Sequence, residues 1–289
     1  MFESSVALTP EQIEWLDQCT DGTWQLNPST GEVDVDGDFN CVGQGLSDLK
    51  GVRFGKVEGN FSCEDNQLTS LEGAPREVGG NFSCRNNQLT TLEGAPQKVE
   101  GNFSCRDNQL TSLEGAPQVV GKDFVCYDNQ LTTLEGAPQK VGRHFSCNNN
   151  QLTTLEGAPQ VVGKDFYCQS NQLTTLEGAP QKVGGSFHCY NNQLTSLEGA
   201  PQEVRWSFYC ENNPVSEETL KSIFRLMKKE KSYLMKKRKS YLKAVESIWT
   251  EIPLEDQTLL YRPEFEWVGA DEARKLEALK AYQGFKGMI

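Results

Sequence analysis

The sequence predicts a solenoid of short parallel strands stacked one on another, and three observations predict it. Between Phe61 and Cys210 the chain repeats every 21 residues with almost unchanged spelling, Phe-x-Cys-x-x-Asn-Gln-Leu-Thr-x-Leu-Glu-Gly-Ala-Pro-x-x-Val. A fixed period of this size marks a unit that cannot bury its own apolar side and therefore stacks on its copies. Within each unit apolar and polar residues alternate, as in Asn81-Phe82-Ser83-Cys84-Arg85, the period-2 signature of a strand with one buried side. The recurring Gly-Ala-Pro argues against a helix on the return side and leaves it extended or polyproline-like.

Taken in order, residues 1–34 predict a capping helix and hairpin. Thr9-Pro10-Glu11-Gln12-Ile13-Glu14-Trp15-Leu16 has an N-cap threonine and a proline at the first helical position. Trp24 to Leu26 and Glu32 to Val35 read as two strands around Asn27-Pro28-Ser29-Thr30-Gly31. Asp34-Val35-Asp36-Gly37-Asp38 hints at a calcium loop, but Phe39 stands where that loop needs Gly and Gly45 where it needs Glu. Val35 to Cys41 instead aligns with Val57 to Cys63 as an earlier rung, 22 residues ahead. Residues 35–215 therefore form a solenoid of about nine rungs, on the order of 40 Å long at about 4.8 Å per rung. Phe and Cys point inward, the two Leu columns and the Val column join them, and the Asn column (Asn66 to Asn213) serves the backbone at the turn. The repeat breaks at Asn213-Pro214-Val215. Residues 216–289 predict a helical C-terminal cap or extension. Leu220, Met227, Leu234, Tyr241 and Ile248 recur every seven residues, with Lys228, Lys229, Lys236, Lys239 and Lys243 on the opposite face. A last helix is expected from about Asp271 to Tyr282.

Counted from Gly79, the residues Phe82, Cys84, Asn87 and Leu89 fall on the pattern LxxLxLxxNxL, with Phe and Cys replacing two leucines. The chain thus resembles the leucine-rich repeat proteins of the short bacterial and phage type, and is similar to the repeat domains of type III secretion effectors. That resemblance implies a parallel sheet on a concave face and a partner protein bound there. Effectors of this kind that are ubiquitin ligases carry a catalytic cysteine in a large C-terminal domain. The segment after Cys210 has no cysteine and is far shorter, so that activity is not carried over.

Charge narrows the partners. The net charge is -12. From Ser216 onward there are 15 basic and 12 acidic residues, and before it 13 basic and 28 acidic, so the solenoid side carries -15. An acidic body repels phosphates, and any nucleic acid contact, or any block of a nucleic-acid-handling system of the phage kind, falls to the basic C-terminal helix or to mimicry by the acidic solenoid. The same helix could mediate self-association. Ten cysteines without an apolar, basic-led N-terminus suggest a reduced, cytoplasmic protein, and no segment is apolar enough to span a membrane. Asn60-Phe61-Ser62, Asn81-Phe82-Ser83 and Asn102-Phe103-Ser104 match a glycosylation sequon only as a by-product of the repeat.

No residue set supports catalysis, a metal or a cofactor. A straight cysteine column does not converge on a zinc ion, and parallel in-register thiols do not aim at each other. His144 and His188 stand two rungs apart, without a nucleophile beside them. The column Glu72, Glu93, Glu114, Glu135, Glu156, Glu177 and Glu198 reads as turn-capping or solvated side chains. Outward strand positions, in contrast, stop copying themselves. Arg85, Arg106, Tyr127, His144, Tyr167, His188, Tyr190, Trp206 and Tyr209 are the expected partner-binding residues, because clustered Tyr, Trp and Arg carry interface energy. The expected function is that of a non-enzymatic protein-binding module.

Overall fold

The computed structural model of the protein describes residues 7–215. The helices expected after Ser216, and with them Lys228, Lys229, Lys236, Lys239 and Lys243, lie outside the described residues.

Helix α1 spans Pro10–Cys19. Its start is a full capping box: the Thr9 hydroxyl accepts the Gln12 N–H at 3.2 Å and the Thr9 N–H donates to Gln12 Oε1 at 2.9 Å. The helix buries Trp15, Leu16 and Cys19. Trp15 meets Phe39 edge-on at 5.1 Å and Phe54 at 6.3 Å, while its indole N–H donates to Gln44 Oε1 at 2.8 Å. Strand β1 (Thr20–Leu26) pairs antiparallel with β2 (Val33–Asn40). Strand β2 then turns its other edge to the repeats, with Val33 parallel to Phe54 and Phe39 parallel to Phe61.

From there two parallel ladders run through the repeats. One consists of two-residue strands from Phe61–Ser62 to Phe208–Tyr209, each in register with the same positions one rung on. The other consists of strands such as Glu77–Val78 and Lys98–Val99, again in register. With Phe39 at the start, Phe39 to Phe208 encloses eight turns. The segment that sequence reading left extended is a turn at Glu-Gly followed by these Val-ended strands. Gly136 shows why glycine recurs in that turn: its φ is +90° and a Cβ there would run into the Leu113 backbone of the preceding rung.

The core is a set of columns. Phe61, Phe82, Phe103, Phe124, Phe145, Phe166 and Phe187 are all fully buried, as are the two leucine columns behind them, from Leu68 to Leu194 and from Leu71 to Leu176. Successive phenylalanine rings lie 5.1 to 5.5 Å apart, a face-to-face spacing imposed by the strand register. Each buried Asn saturates its carboxamide. Asn129 donates to Cys105 O (3.1 Å), Cys126 O (3.2 Å) and Tyr127 O (3.3 Å), and its Oδ1 accepts the Leu110 N–H at 3.0 Å. The residue before each Asn is Asp, Asn or Ser and sits at a φ of 52 to 56°, a left-handed conformation these short polar residues tolerate best. Phe, Cys, Asn and Leu therefore occupy the strand and turn places that the leucine-rich repeat pattern assigns to them.

Candidate functional site

The parallel register sets outward residues of successive rungs side by side. In the position between Phe and Cys, Tyr167 pairs with His188 and His188 with Tyr209. Their rings form one stack, with centroids 4.5 Å and 4.6 Å apart and planes within 19°. Tyr190, two residues past His188 on the same face, meets the His188 ring edge-on at 6.3 Å. Trp206 is 44 % exposed, and Lys164 Nζ lies 5.6 Å from its ring centroid. Toward the N-terminal end the same face turns polar. Arg85 Nε donates to Glu64 Oε2 at 2.5 Å, and the Arg106 guanidinium stands 5.3 Å over Tyr127 while pairing with Asp107. The structure thus joins Tyr167, His188, Tyr190 and Tyr209 into one cluster and places Arg85, Arg106 and Tyr127 farther along the strand face.

Burial keeps His188 and Tyr167 neutral near pH 7. Burial between two tyrosines pushes His188 down to about 4, opposed only in part by the Asp165 carboxylate. Burial, reinforced by Asp165, pushes Tyr167 up to about 12, and the Tyr167 hydroxyl donates to Asp165 Oδ2 at 3.1 Å.

His144 has a second role that sequence reading did not assign. The residue just before each strand Phe forms a side-chain ladder: Asp38, Asn60, Asn81, Asn102, Asp123, His144, Asp165 and Ser186 each accept the backbone N–H of the matching residue one rung on. His144 Nδ1 accepts the Asp165 N–H at 3.3 Å and lies 3.2 Å from Asp165 Oδ2. Its ring is 6.1 Å from Tyr167, so it borders the cluster while completing the ladder. Asn60, Asn81 and Asn102 of the sequon matches belong to the same ladder, their amide oxygens already engaged.

The cysteines are packing residues with a weak hydrogen bond. From Cys63 to Cys189 each Sγ donates to the carbonyl of the mid-strand residue one rung on, at 3.2 to 3.6 Å. Burial pushes these thiols well above their ordinary range, Cys63, Cys84, Cys126 and Cys168 among them. Cys63 to Cys168 are free thiols. Among the described residues no group of three or more His, Cys, Asp or Glu is arranged to hold a metal ion. The Glu72 to Glu198 column is exposed along its whole length. No helix among the described residues is long and apolar enough to cross a membrane.

No family model matches the chain, and no curated protein matches it. Among solved structures it is similar to YopM from Yersinia enterocolitica WA-314, with 18% sequence identity and a TM-score of 0.40 over 59% of this chain. The match spans 42% of the YopM chain, less than half of that protein's length. The fold assignment stands on the register and ladders described above.

Proposed function

We propose that the protein is a non-enzymatic binding module that holds a partner protein on the strand face of the C-terminal half of its solenoid, in a reducing compartment such as the cytoplasm. The observation that carries this reading is the Tyr167–His188–Tyr209 stack with Tyr190 at its edge. Tyr167, His188 and Tyr209 stand where the framework elsewhere carries serine, as Ser62, Ser83 and Ser104 show at the same position. Aromatic groups lose little conformational entropy on docking and bury large area, the combination that concentrates binding energy. The free, buried thiols support the reducing compartment.

The test replaces Tyr167, His188, Tyr190 and Tyr209 together with Ser, the residue the repeat uses elsewhere on this face. Affinity capture from a lysate of the source organism, read by mass spectrometry, should return a protein with the wild type that the variant fails to retain. Circular dichroism should show the same fold in both. Undiminished capture by the variant overturns the reading.

A further inference from the structure

The side-chain ladder holds a second pattern. The residue immediately before each ladder donor, Asn60 to Ser207, is Gly59, Gly80, Gly101 and Gly185 in four rungs, but Lys122, Arg143, Lys164 and Trp206 in four others. Space explains the glycines: a Cβ added at Gly80 would stand 2.6 Å from Asn60 Oδ1, the atom that accepts the ladder bond. The same crowding recurs at Gly59, Gly101 and Gly185. None of these four glycines has a positive φ, so room and not backbone conformation is what selects them.

Ladder geometry follows the choice at every rung. Beside the glycines the bonds are 2.7, 2.8, 2.8 and 2.6 Å. Beside Lys122, Arg143, Lys164 and Trp206 they lengthen to 3.1, 3.1, 3.3 and 3.3 Å. The comparison holds for like acceptors. Amide oxygens go from 2.8 Å at Asn60 and Asn81 to 3.1 Å at Asn102. Carboxylates go from 2.7 Å at Asp38 and 2.6 Å at Asp165 to 3.1 Å at Asp123. Lys122 and Arg143 therefore stand where the ladder bond is longer than beside a glycine, and the bonds beside Lys164 and Trp206, to His144 Nδ1 and Ser186 Oγ, are long as well.

Three of the four are cations on consecutive rungs, all exposed. The stripe adjoins the ring cluster: Arg143 Nε lies 3.6 Å from Asp123 Oδ1 in the ladder column, and Tyr167 reaches the same column at Asp165. Lys164 crosses over Gly185 to Trp206. We infer that Lys122, Arg143 and Lys164, with Trp206, are the electrostatic half of the partner-binding surface, and that they take a short acidic segment of the partner protein whose apolar side chains meet the ring stack. This rests on the function proposed above and names the chemistry of its partner. A short segment fits better than a nucleic acid. The stripe is only three rungs long, about 10 Å between its outer cations, and a longer polyanion would run onto a body carrying 28 acidic against 13 basic residues before Ser216.

The experiment uses a short fluorescein-labelled peptide alternating glutamate with tyrosine, its glutamine counterpart, and a fluorescein-labelled oligo-dT, titrated with the full chain by fluorescence anisotropy. Wild type should bind the glutamate peptide, and about 0.5 M NaCl should weaken that binding by screening. Lys122→Gln/Arg143→Gln/Lys164→Gln should weaken it about tenfold, a factor of roughly two for each exposed ion pair. The glutamine peptide should bind wild type equally weakly. The matching Gly variant, which restores the residue used in the other rungs, should lose the same binding while keeping its melting temperature, a split that a structural role for these side chains would not produce. Binding to the glutamate peptide that is absent up to about 1 mM, unchanged in both triple variants, or exceeded by binding to oligo-dT overturns the inference. Loss of cellular partner capture in the tyrosine and histidine variant, alongside unchanged peptide binding in the cation variants, would remove this inference and leave the binding function standing.

Discussion

Replacing Asn129 with Ala tests the claim that the rungs are held by saturated carboxamides as much as by apolar burial. The substitution removes four hydrogen bonds: those donated to Cys105 O, Cys126 O and Tyr127 O, and the one accepted from Leu110. The consequences differ. Cys105 O keeps the bond from Asn108, and Cys126 O keeps the bond from Asn150. The Leu110 N–H, attached to a fully buried residue, loses its acceptor. An orphaned buried donor costs about 1 to 3 kcal/mol and each of the three other lost bonds about 0.5 to 1 kcal/mol, so the expected destabilisation is about 2.5 to 6 kcal/mol. For a unit of this size that corresponds to a fall in Tm of about 10 °C. Urea denaturation followed by circular dichroism measures it, with Asn149→Gly as the control. Asn149 is exposed with a φ of 53°, which glycine accepts readily, so its change should stay below about 1 kcal/mol. A loss below about 1 kcal/mol for Asn129→Ala would refute the reasoning.

Gly136→Ala should cost more than about 2 kcal/mol, because it adds a Cβ at positive φ against the preceding backbone. Gly43→Ala, at φ +68° with nothing within 4 Å, should cost only about 1 kcal/mol; equal losses in thermal melts would show that the turn is not packed as described. For His188 the folded value of about 4 lies below its ordinary 6.5, so the unfolded chain takes up a proton first as pH falls. Stability contributed by His188 is complete above about 6.5 and is lost by up to about 3 kcal/mol on descending toward pH 4. His188→Gln should flatten the stability profile across that window relative to wild type, and identical slopes would contradict it.

The phenylalanine, cysteine, asparagine, leucine and valine columns were legible in the sequence because one residue type, or nearly one, recurs at each. The ladder before Phe was not, because Asp, Asn, His and Ser share no side-chain shape; what they share is an atom with a lone pair two or three bonds from Cα. His144 was assigned to the partner surface on that account, its ring nitrogen being recognisable as an acceptor only once Asp165 N–H is placed against it. The left-handed position was marked all along by Asp65, Asn86, Asp107 and Ser170, residue types that tolerate such a backbone, but the invariant Asn beside it drew the reading. The ring cluster follows from the 21-residue spacing alone, since register turns equal spacing into adjacency. The stretched ladder beside Lys122 and Arg143 has no sequence signal other than the missing glycine.

The Asn column also fixes how such a chain can change length. Asn87 closes the backbone of its own rung through Cys84 and of the rung before through Cys63 and Leu68, so every rung presents one edge of donors and acceptors that only a whole rung can meet. Removing residues 124–144 would rejoin two matching edges, whereas removing any smaller piece would displace all the columns at once. The molecule behaves as a ruler divided in 21-residue marks. Duplication or loss of complete marks moves the aromatic end nearer to or farther from α1 without disturbing either.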